Sequence, residues 1–175
     1  MSIRARVEDA CVAYAVGRPE AALTLVLAAV GATSRRRRPA GTPSVRHAGS
    51  EMGDGEAFEA FLWEEMPRIC KVQNYNVAYR GKMHRMERVL YKWFRCELFH
   101  AAALPADLRF EPDPRPGVTR VAVENASGGL LLTHGWIDGL VDAVVHAPEN
   151  ADQFGTPPQP PLPIHLPKID MTVSH

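Results

Sequence analysis

Apolar positions recur at three- and four-residue spacing along much of the chain, the pattern of helices with one buried face. From Ile3 to Val16 the stripe is Ile3, Val7, Ala10, Cys11 and Tyr14. Gly17, Arg18 and Pro19 interrupt it, and Pro19 suits the first turn of a new helix. Glu20 to Thr33 is then almost wholly apolar, which predicts a helix buried on most sides. Arg35, Arg36, Arg37 and Arg38 close it, where positive charge is favourable against the helix dipole. Pro39 to Gly55 has too few large apolar residues to pack and reads as a mobile loop.

Glu56 to Met66 reads as a short helix with Phe58, Phe61, Leu62 and Met66 on one side, stopped by Pro67. Between Arg68 and Gly81, Tyr75, Val77 and Tyr79 alternate with Asn74, Asn76 and Ala78, so a strand and an ordered loop both fit. Lys82 to Ala103 is the longest predicted helix, carried by Met83, Met86, Val89, Leu90, Trp93, Phe94 and Leu98, with Pro105 limiting it. Pro112, Pro114, Pro116 and Gly117 break up the segment from Asp107 to Gly117. Val118–Val123 and Leu130–Thr133 read as a small hairpin around the turn Asn125–Gly129. Helical spacing resumes from Trp136 to His146. From Pro148 onward the chain holds seven of its fifteen prolines and reads as extended. The expected architecture is mainly α: a helical domain over 1–147 that includes a small C-terminal β-hairpin and a last helix, then a Pro-rich tail over 148–175.

At 175 residues the chain suits one domain with a real core. Its 46% hydrophobic content argues against wholesale disorder. Twenty basic residues balance twenty acidic ones, which excludes a uniformly polycationic binder. The balance is uneven, however. Residues 1–50 carry eight basic and three acidic side chains, net +5, residues 51–100 carry eight of each, and residues 101–175 carry four and nine, net −5. A neutral chain can therefore still present a basic face. Cys11, Cys70 and Cys96 form neither a close pair nor a metal-type spacing, so a reducing cytoplasm is the expected setting. The apolar run Ala21–Ala32 is too short to span a bilayer, and no basic segment marks it as a secretion signal.

The segment richest in chemistry is Arg88 to His100, RVLYKWFRCELFH. Histidine exchanges protons near neutral pH, and a guanidinium grips phosphate oxygens bidentately. Arg95 and His100 are thus the candidate catalytic pair, although a helix-rich protein can carry such a spacing by chance and the spacing alone names no reaction. On a regular helix five residues separate side chains by about 140°. The pair must therefore converge by a bent Arg95, by a helix end between them, or through two subunits. Arg88 and Lys92 are candidates for extending a phosphate-binding face, as are Arg35, Arg36, Arg37 and Arg38. Each fits a solvated surface as well. Glu97 is a candidate for orienting Arg95 or His100. Tyr75, Tyr79, Tyr91 and Trp93 read as packing residues before base-stacking ones. Asp138, Asp142 and His146 share a helical face, but without a companion motif they read as a polar surface rather than a metal site, and no cofactor is expected.

The stretch RCELFHAAALPADLRF resembles the HEPN superfamily, small helical domains of toxins and RNA-processing systems. Its motif is an Arg, four to six residues, then a His, which Arg95 and His100 match in the short form. The earlier ALTLVLAAVGATSRRRR and EAFEAFLWEEMP are also similar to bacterial members, and the likeness covers about Val7 to Phe110. Cys96 departs from the pattern, since many catalytic members carry a polar residue there. The resemblance implies a HEPN-like helical bundle that dimerises with both motifs on one cleft. It also implies metal-independent cleavage of RNA through its own 2′-hydroxyl, giving a 2′,3′-cyclic phosphate, in a toxin or defence effector with a protein partner or antitoxin. The alternative is a non-catalytic RNA- or protein-binding scaffold.

Overall fold

The computed structural model describes residues 2–113, 123–126 and 129–155. Helix α1 (Ile3–Ala15) starts at Ser2, whose Oγ accepts from the Ala5 amide at 3.0 Å, satisfying one of the amides a helix start leaves unpaired. It buries Ile3, Val7 and Ala10; Cys11 and Tyr14, expected on the same stripe, remain exposed. Helix α2 (Pro19–Arg37) is the central element, as its composition predicts. It packs against α1, α3 (Asp54–Cys70) and α6 (Gly135–Val145). Leu23, Val26, Leu27, Ala29 and Val30 are fully buried along it. The small residues of this helix let three neighbours approach.

Pro39 to Gly53 is a folded connection rather than a loose one. The Thr42 carbonyl accepts from the Met52 amide at 2.7 Å, and Ser44 and Ser50 are joined at 2.9 Å. Glu56 then accepts from Ser44 Oγ and from the Val45 amide, both at 2.7 Å. Charged and polar groups supply what the loop lacks in apolar residues.

Helix α3 does not stop at Pro67 but runs to Cys70. A proline inside a helix removes the bond to the carbonyl four residues earlier, here that of Trp63. Gln73 Nε2 donates to that carbonyl at 3.2 Å, so it keeps a partner and the helix continues.

The expected helix start at Lys82 is also corrected. Strand β2 (Lys82–Arg85) pairs antiparallel with β1 (Asn76–Tyr79), joined by Arg80 and Gly81, both at positive φ. Two such central residues make the turn whose twist suits a hairpin. Val77 and Tyr79 are buried, whereas Met83, expected in a helical core, is 66% exposed. Helix proper begins at Met86 and forms a continuous rod to His100: α4 (Met86–Val89), a π-helical turn (Leu90–Arg95) and α5 (Cys96–His100). The rod ends before Ala102, whose φ is positive.

The C-terminal sheet has three strands. In the breaker-rich segment, β3 (Leu108–Glu111) forms and lies parallel to β5 (Gly129–Thr133), while β4 (Val123–Ala126) flanks β5 on its other side, antiparallel. A hairpin forms as β4–β5, but Asn125, Ala126 and Gly129, expected in its turn, are paired in the strands because the ladder runs to Ala126 opposite Gly129; Val118 to Ala122 lie outside the described residues. Helix α6 buries Trp136, Ile137, Leu140, Ala143 and Val144. Residues from Pro148, expected to be extended, form a 3-10 turn (Pro148–Asn150) and a short helix α7 (Ala151–Phe154). Asn150 is fully buried and ties this end down, donating from Nδ2 to Thr33 Oγ1 at 2.9 Å and to the Val144 carbonyl at 2.8 Å. The rest of the Pro-rich tail, 156–175, lies outside the described residues.

Candidate nucleic-acid interface

The rod buries one face: Met86, Val89, Leu90, Phe94 and Leu98 enter the core. Within it, the Cys96 amide donates to the Tyr91 carbonyl, five residues back, the bond of a π turn. Such wide turns interrupt an α-helix and often mark functional positions. Tyr91, Arg95 and Phe99 follow at four-residue spacing, and the rings flank the cation. The Arg95 Cζ atom is 5.4 Å from the Tyr91 ring centroid, 5.3 Å from Phe99 and 5.6 Å from Phe58 of α3. These are cation–π distances. Arg95 Nε is buried without a hydrogen-bond partner among the described residues.

Two glycines make room for this arrangement. A methyl at Gly31 of α2 would lie 3.5 Å from Arg95 Nε and Nη2. One at Gly55, in the first turn of α3, would lie only 2.8 Å from the Tyr91 ring. Burial pushes the Tyr91 phenol above its ordinary value.

His100 and Lys92 are exposed on the adjoining stripe, with half-buried Cys96 between them. Lys92 Nζ lies 5.0 Å from the Trp93 ring centroid. No contact joins Arg95 to His100 among the described residues: Arg95 turns inward to Gly31 and Phe58, while His100 stands at the exposed end of α5. Glu97 is half-buried, and among the described residues no ion pair or hydrogen bond joins it to either.

The other candidate cations have carboxylate partners. Arg88 faces Glu59 at 3.8 Å. Arg35 donates to the Met52 carbonyl at 2.9 Å and faces Asp54 at 3.3 Å. Arg36 pairs with Asp152 at 2.9 Å. Arg37 is held by Glu64 and Glu65, each at 2.9 Å, and by Glu149, and its guanidinium lies 4.5 Å from the Phe61 ring centroid. Arg38 pairs with Glu64. The arginine run thus fastens α2 to α3 and to the C-terminal turn.

Of the aromatic candidates, Tyr79 and Trp93 are buried and meet edge to face at 5.1 Å. Burial, with the Asp107 carboxylate nearby, pushes the Tyr79 phenol up to about 12. On α6, Asp142 lies 2.9 Å from His146 and 3.7 Å from Arg68, so its charge is met within the fold. Phe58 was expected as a packing residue, and its contact with Arg95 was not; Phe99, Gly31 and Gly55 were not among the expected site residues. The spacing of Tyr91, Arg95 and Phe99 was the signal for Phe99; nothing local marks the two glycines or pairs Phe58 with Arg95.

Fold and site together define a mainly helical protein with small strand pairs, whose rod carries an aromatic-walled arginine on one stripe and an exposed lysine and histidine on the next. A family model, Rv1289, matches residues 2–158, and the chain belongs to that family. No curated protein and no solved structure matches it.

Proposed function

We propose that the chain is an RNA-binding helical module whose contact face is the Arg95 side of the rod. The observation that carries this reading is the state of Arg95. Among the candidate arginines it is the one without a carboxylate partner among the described residues, and aromatic rings hold it in place. An unneutralised, positioned guanidinium is suited to a phosphate oxygen. The resemblance of the Arg95–His100 segment to HEPN domains supports RNA as the source of that phosphate. Binding of a labelled RNA, measured by anisotropy across a salt series, tests it. Arg95→Ala and Lys92→Ala should each weaken binding and flatten its salt dependence. Unchanged affinity in both variants rejects this face.

A second reading has its own support: His100 is exposed and has no partner among the described residues, leaving its imidazole available for proton transfer. On this reading the protein is a metal-independent endoribonuclease, and a homodimer brings His100 of one chain to Arg95 of the other. Cleavage in EDTA that is lost in His100→Ala supports it. Binding without turnover leaves the module non-catalytic.

A further inference from the structure

Phe99 is the one large apolar side chain of the rod that stands half in solvent, 49% exposed, while Leu90, Phe94 and Leu98 are buried. It is not isolated. Its ring centroid lies 5.3 Å from Arg95 Cζ, forming the outer wall of the space that Tyr91 and Phe58 close from within. Exposed Lys92 and His100 lie on the neighbouring stripe. The rod therefore sets a flat, accessible ring directly beside a positioned cation, with further basic groups along the same side. Glu97 is the one carboxylate of α5.

From this juxtaposition we propose that Phe99 is a base-stacking platform that selects unpaired RNA. The inference rests on the RNA-binding reading above. An aromatic face accepts any base, because every base has a π-face. The bases inside a duplex are already stacked and offer none. Arg95 and Lys92 hold the phosphates on either side of the stacked nucleotide, so charge supplies attachment and Phe99 supplies the preference for single strands. A ring already fixed against a guanidinium loses little freedom when a base lies on it.

The test uses the full chain and two labelled RNAs of equal length, an unstructured strand and a blunt duplex, in anisotropy titrations at low salt. The wild type should bind the single strand about tenfold or more tighter than the duplex, the scale of one base–aromatic stack. Phe99→Ala should remove that margin and leave duplex binding unchanged, and Phe99→Trp should restore it with quenching of the new indole on binding. Phe99 is half exposed, so truncation leaves the core intact, and an unchanged far-UV CD spectrum checks this. RNA binding that is the same for both forms and indifferent to Phe99→Ala overturns the stacking role while the RNA-binding reading stands. No RNA binding by the wild type overturns both. A Phe99→Ala variant that dissociates a dimer without altering single-strand preference assigns the ring to a subunit contact and also overturns the proposal.

Discussion

Arg95 of the central rod lies against Gly31 of α2, its Nε and Nη2 each 3.5 Å from where a methyl on that glycine would stand. That is ordinary van der Waals spacing, so alanine fits and a larger side chain does not. Alanine also avoids the conformational cost of glycine in a helix, worth about 1 kcal/mol. Gly31→Ala should therefore raise the thermal midpoint by about 2–4 °C and leave RNA binding intact. Gly31→Leu should displace the guanidinium, lower the midpoint and weaken RNA binding together. Calorimetry and anisotropy on the two variants check this. A Gly31→Leu variant with wild-type binding would show that the seat of Arg95 is irrelevant.

Arg37 joins three elements through one guanidinium, meeting Glu64 and Glu65 on α3 and Glu149 in the 3-10 turn. The Arg37, Glu65 and Glu149 side chains are largely buried, so removing the cation leaves carboxylates crowded with little water. Arg37→Ala should cost about 2–3 kcal/mol, below the full penalty for a buried pair because Glu64 is half in solvent. Urea unfolding measures it. A loss under 0.5 kcal/mol would mean that the cluster is solvated.

The Arg80 guanidinium grips Asp107 with two bonds, at 2.7 and 2.8 Å, and holds its carboxyl down at about 2, against an ordinary 3.8. A carboxylate with a lowered folded pKa stabilises the native state above its unfolded pKa and loses that contribution as pH falls through the folded value. The contribution of this pair should fade between about pH 4 and pH 2. Asp107→Asn should flatten the acid limb of stability over that window while changing little at the lowest pH. Midpoints measured from pH 7 to 2 for both proteins test it, and parallel curves would refute it.

At the start of β5, the backbone of Gly129 passes against the Asp107 carbonyl, which accepts from the Leu130 amide at 2.9 Å. A methyl on Gly129 would press into that carbonyl oxygen, a backbone atom that cannot swing aside. Gly129→Ala should destabilise by about 1–3 kcal/mol through overpacking. Hydrogen exchange at the Leu130 amide should accelerate more than exchange in α2, and uniform protection across the two elements would contradict this local origin.

The helices were legible where their cause is local. The spacing of Ile3, Val7 and Ala10, the apolar run of α2 and the Trp136–Leu140–Val144 stripe reflect side chains a turn apart on one element. The errors have equally physical sources. Met83 matches a helical stripe, yet its segment gains more by pairing with Asn76–Tyr79, and the signal for this was Arg80-Gly81 in the turn. Pro67 reads as a stop because sequence spacing cannot show that Gln73 would serve the freed carbonyl. Strand β3 was hidden because its parallel partner is β5, with β4 intervening in the chain.

The candidate site divides in the same way. The amino-acid order by itself set Tyr91, Arg95 and Phe99 on one face of a helix and placed four arginines at the end of another, because each is a matter of spacing along one element. Only the tertiary structure decided that Arg35 to Arg38 are met by acids from other parts of the chain, while Arg95 meets rings and a glycine instead. A charge's availability depends on what packs beside it, and that is settled when distant segments bury their apolar faces together.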